Sequence, residues 1–127
     1  MIRGYFDNNR PHIPLTIGWG PSVEDTFVLV DTGFNGEIKI TPENAKRLEL
    51  NITHDETVGL ANGQRVSMSA ALIYVDMGGS IGVVNAIIAP GDTVIGVNLM
   101  KKFACLLTAN FKTSTLRLKP QPAKRTS

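Results

Sequence analysis

Turn-forming residues cut the apolar segments of this chain into pieces of about ten residues or fewer, a spacing that points to a mainly β fold built from many short strands. Met1 to Phe6 reads as the first strand, Asp7-Asn8-Asn9 as a turn and His12 to Ile17 as the second strand, so the chain opens with a hairpin. Gly18-Trp19-Gly20-Pro21 reads as the loop that closes it. Thr26 to Val30 is a continuous apolar run rich in β-branched residues, which suits a strand covered on both faces. It stops abruptly at Asp31.

Thr41 before Pro42 and Glu43 is a helix start: a hydroxyl cap, a proline at the first helical position and an acid at the positive end of the dipole. The pattern predicts a helix to about Leu50. Val58-Gly59-Leu60 and Val66-Ser67-Met68 flank Ala61-Asn62-Gly63-Gln64, and Asn-Gly between alternating segments predicts a protruding hairpin tipped by Asn62 and Gly63. Ala71 to Val75 and Val83 to Ile88 read as strands joined through the Gly78-Gly79 turn, followed by a strand at Thr93 to Ile95. A short helix from about Val97 to Phe103 and two last strands, Leu106 to Thr108 and Thr115 to Leu118, complete the pattern.

At 127 residues with 43% hydrophobic content, the chain supports one compact core. The expected division is a single domain over 1–119 and a basic, disordered tail over 120–127, where Pro, Lys and Ser dominate. A net charge of +2 hides an asymmetry: from Lys101 onward there are seven basic residues and no acid, while the first hundred residues are net acidic. No aromatic pattern accompanies that charge, so a solubilising end is favoured over a nucleic-acid surface. No apolar stretch approaches the eighteen or so residues that span a bilayer, and a cytoplasmic protein without a membrane partner is expected. The single cysteine, Cys105, lies in the apolar stretch FACLL and reads as a small core residue. His12 and His54 fall in no metal-ligand or nucleophile motif, and neither a metal nor an organic cofactor is expected.

The chemically informative segment is FVLVDTGFNG, residues 27–36, where a buried strand delivers a carboxylate onto the turn Asp31-Thr32-Gly33. A strand end is a rigid mount, a threonine hydroxyl can bond across to a neighbour, and glycine lets backbone approach the carboxylate. Taken alone, DTG is an ordinary turn. The second element, TVIGVNLMKKF at 93–103, again runs an apolar strand into a glycine and a helix, and the pair is far more specific than either part.

With VDTG at 30–33, VIG at 94–96, GVNLM at 96–100 and a last strand ending in RLKP, the chain resembles the retropepsin-like aspartic peptidases over roughly residues 2–118, and small bacterial single-domain members most of all. The resemblance implies a closed acid-protease β-barrel with one or two short helices, functional as a homodimer. It also implies that Asp31 is the catalytic carboxylate, Thr32 an inter-subunit clasp and Gly33 a backbone contact. The 58–70 hairpin would be a flap over bound peptide, and Phe34, Leu60, Ala61, Asn62, Gly63, Ile95 and Gly96 would form the flap and substrate pocket. Phe34, where the family often has a small residue, would crowd the site or wall off one substrate pocket. Asp92 reads as a turn residue, and Glu37 as solvent-facing.

Dimerisation also has a chemical argument. Hydrolysis without a metal or a nucleophilic side chain needs one carboxylate to take a proton from water and a second, protonated, to polarise the carbonyl, and this chain carries one DTG. A twofold axis places Asp31 beside its copy, and carboxylates so close share a proton. The expected function is an aspartic endopeptidase acting on peptide or protein substrates at acidic to mildly acidic pH. Its alternative is a weak or inactive dimeric peptide-binding module of the same fold.

Overall fold

In a computed structural model, which describes residues 1–59 and 62–121, strands and two short helices follow the expected order. β1 (Ile2–Asp7) and β2 (Arg10–Trp19) form the opening hairpin. Its turn residues Asn8 and Asn9 lie at φ 50 and 61, the left-handed geometry a two-residue hairpin loop demands and asparagine tolerates. β2 runs two residues into the expected loop, so the connection to β3 (Ser22–Val30) shrinks to Gly20-Pro21. β3 is covered less completely than its composition suggests: Val28 is fully buried, but Phe27 is 59% exposed.

β4 (Ile38–Ile40) precedes α1 (Pro42–Arg47), whose cap is the expected Thr41. Asn44 N donates to Thr41 Oγ1 at 3.0 Å and Thr41 N donates to Asn44 Oδ1 at 3.0 Å, a reciprocal capping box. The helix ends three residues short of Leu50. β5 (His54–Gly59) and β6 (Arg65–Met77) form the protruding hairpin. The two segments expected as separate strands around Val66 and Ala71 are one long strand, β6, which pairs with β5 in its first half and with β7 (Ser80–Ile88) in its second. β8 (Val94–Ile95), α2 (Val97–Lys102), β9 (Cys105–Asn110) and β10 (Thr115–Pro120) complete the chain. The expected tail lies outside the described residues from 122 onward.

The pairings β2·β3, β3·β8, β8·β4, β4·β7, β7·β6 and β6·β2 return to their starting strand and so form a closed ring. Inside it pack Ile13, Ile17, Val28, Ile38, Ile40, Ile73, Val75, Val84 and Ile95, all fully buried. Each such side chain contributes about 1.5–3 kcal/mol relative to exposure. β5 projects from one side of the ring through β6, while β1, β10 and β9 extend the sheet from β2. Among the described residues no helix is long and apolar enough to cross a membrane.

Candidate active site

Asp31 follows the last residue of β3, where that strand pairs in parallel with β8 and β8 pairs on its other side with β4. Leu29 N donates to Thr93 O at 2.8 Å and Asp31 N to Ile95 O at 3.1 Å, so the main chain of Asp31 is tied to the central strand. The loop that follows is tied as well: Gly96 N donates to Glu37 O at 3.0 Å and Val97 N to Phe34 O at 2.9 Å. Phe34 N closes the tight turn onto Asp31 O at 3.1 Å. Gly33 N donates to Asp31 Oδ1 at 2.8 Å, fixing the half-buried carboxylate, while Thr32 and Gly33 are exposed beside it. Asp31, Thr32 and Gly33 thus stand together at the ring's end, on a mount of three strands.

Gly96 explains why the motif pair needs a second glycine. A Cβ there would overlap the carbonyl oxygens of Gly36 and Phe34, and one at Gly36 would overlap the Phe34 ring. Phe34 therefore folds over two glycines. Ile95 is fully buried and Gly96 is buried, so both support the site from beneath and do not line its surface, a correction to their expected place in the substrate pocket.

A groove of about 480 Å³ opens between the Gly33–Glu37 loop and the 56–59 edge of the hairpin, with Asn85, Ile87 and Asn98 in its far wall. Phe34 separates it from a smaller cavity of about 270 Å³ that holds Asp31, Arg10, Lys39 and Asp92. Asn62 and Gly63 form the exposed hairpin tip, where Gly63 has φ 84 and Gln64 N donates to Asn62 Oδ1 at 3.0 Å. Leu60 and Ala61 lie outside the described residues.

Two charged groups differ in setting from their sequence reading. Glu37 is not free in solvent: its side chain is 24% exposed and its Oε2 accepts from Asn85 N and Lys102 Nζ, both at 3.3 Å. Asp92 is in a loop as expected, yet it shares the small cavity with Asp31 and is paired with Arg10. The hydrogen bond from Arg10 holds its carboxyl below the usual carboxylate range, against a smaller opposing effect of burial. Glu56 and Asn85 line the groove and belong to no motif, while Asn98 lies within GVNLM without having been singled out. Outside the motifs the one signal is a polar residue inside an apolar strand, Asn85 in SIGVVNAII. Among the described residues no three His, Cys, Asp or Glu side chains gather in a way that could hold a metal.

No protein-family model matches the sequence, and no curated protein matches it. Solved structures do. A retropepsin-like aspartic protease from Rickettsia conorii superimposes with a TM-score of 0.66 at 18% identity, covering 91% of this chain and 87% of its own. The EIAV protease, solved with the inhibitor HBY-793, superimposes with a TM-score of 0.60 at 18% identity, covering 76% of this chain and 90% of its own. The fold is therefore retropepsin-like and mainly β, as the motif pair implied.

Proposed function

We propose that the protein is an aspartic endopeptidase whose two catalytic carboxylates are Asp31 and its copy across a homodimer. The observation that carries this reading is the placement of Asp31: a single carboxylate, fixed by Gly33 N and by the β3–β8 pairing, beside a groove roofed by a hairpin. Asp92, the other acid in the small cavity, is a poor second catalytic group: its ion pair with Arg10 lowers its pKa, which keeps it from serving as the protonated acid and weakens it as the base. A second copy of the chain supplies what one copy lacks.

In the dimer the two Asp31 carboxylates share one proton. The ionised one takes a proton from water as the water oxygen attacks the peptide carbonyl carbon, and the protonated one transfers its proton to the carbonyl oxygen, so a tetrahedral diol forms. The carboxyl protonated from water then gives its proton to the amide nitrogen while the other carboxylate takes one back from a diol hydroxyl, and the C–N bond breaks to leave acid, amine and the singly protonated pair. Thr32, exposed beside Asp31, would meet its counterpart in the dimer, and the 58–70 hairpin would pair with an extended peptide and keep water from the reacting bond.

Subunit mixing tests the shared site. With a ninefold excess of Asp31→Asn chains, nearly every native chain pairs with an inactive one, and cleavage per native chain falls about tenfold. Unchanged cleavage per native chain would place the whole catalytic site within one copy.

A further inference from the structure

The groove beside Asp31 carries a charge pattern that peptide hydrolysis itself does not require. Glu37 and Glu56 stand in its wall among three asparagines, and among the described residues no lysine or arginine lines it. One residue holds both acids: Asn85 N donates to Glu37 Oε2 at 3.3 Å, and Asn85 Nδ2 donates to Glu56 Oε1 at 3.1 Å. Each carboxylate is thus fixed through one oxygen, and among the described residues no hydrogen bond reaches Glu37 Oε1 or Glu56 Oε2. Their side chains remain 24% and 41% exposed. Lys102 offsets part of the Glu37 charge, although Nζ also donates to Val83 O at 2.7 Å. Glu56 pairs with His54 at 3.3 Å, a partner that is charged only when protonated.

We propose that this groove selects a basic residue, Lys or Arg, in the bound peptide, with Glu56 as the main determinant and Glu37 as the second. The proposal rests on the peptidase reading above and names the substrate class for the same site. A long cationic side chain suits the groove at both ends. Its aliphatic stem can lie along Val58 and Ile87, and its head can donate charge-assisted hydrogen bonds to carboxylate oxygens already oriented by Asn85. The Phe34 ring in the same wall offers a face to a guanidinium. An acidic side chain would meet two like charges, of which only Glu37 has a permanent cation beside it, Lys102, and this adds discrimination by repulsion.

The test is kcat/KM for matched peptides that differ at one position, carrying Lys, norleucine or Glu, with that position scanned across the cleavage site. At low salt the native protein favours Lys over norleucine about fivefold at one position and disfavours Glu there. Glu56→Gln removes most of that preference, and Glu56→Lys turns it towards Glu, a reversal that misfolding cannot produce. Lys102→Met, which strips the offsetting cation from Glu37, increases the preference for Lys. Equal cleavage of the three peptides at every position overturns the proposal and leaves the peptidase reading standing. Failure of the native protein to cleave or bind any of them overturns both.

Discussion

At Gly96 the main chain leaving β8 passes within contact of the 34–37 loop, with the Phe34 ring folded over the same spot. Backbone cannot shift there without dragging the bonds that tie Asp31 to Ile95 and Val97 to Phe34. Gly96→Ala should cost about 1–3 kcal/mol in chemical denaturation, the range for overpacking a filled interior, and should lower kcat because the Asp31 turn moves with it. Cys105 makes a second point at this scale. It is half-buried, with Sγ 3.3 Å from Met77 Sδ, and desolvation pushes its thiol up from 9.0 to about 11. The folded state thus favours the neutral thiol. The stability this provides is complete below pH 9 and is lost as pH rises through 11. The native protein should therefore lose more denaturant resistance between pH 9 and 11 than Cys105→Ala does. Asp31, Thr32 and Gly33 were legible because the motif is contiguous. Glu37, Asn85 and Glu56 were not, because the contacts joining them span 48 and 29 residues and no local spacing records which strands will meet.

Among the elements, the places where sequence reading slipped have local causes. β4 is three residues long, too short for alternation to show between Glu37 and Thr41. β6 was divided because a change of pairing partner at Ala70 carries no turn residue with it. α1 was extended because its stop signal is hidden: Leu48 caps the helix and Glu49 takes the left-handed conformation, φ 54, that usually marks a glycine. Ala104, φ 49, does the same after α2. A side chain in that region is strained, so Glu49→Gly should stabilise the protein by about 0.5–1 kcal/mol, raising the thermal midpoint by about 2–5 °C. No gain would mean that the Glu49 side chain offsets the strain. The hairpin turns, the starts of both helices and the DTG strand were read correctly because their signals are chemical and local: Asn in turns, Thr-Pro at a helix start, β-branched runs.

For the molecule as a whole, the closed ring gives a rigid frame, and the catalytic proposal turns on what it leaves incomplete. One copy offers one DTG, an exposed Thr32 and an uncovered Phe27 on the strand that leads to Asp31. On the proposed reading, a second copy supplies the carboxylate that this single DTG lacks. The most direct test is to incubate the purified protein, Asp31→Asn and Asp92→Asn with a complex peptide library between pH 4 and 7 and to read new termini by mass spectrometry. Cleavage by the native protein and by Asp92→Asn, absent with Asp31→Asn, is the expected result. Cleavage that survives Asp31→Asn, or none from native protein shown to be dimeric, would contradict an Asp31 dyad.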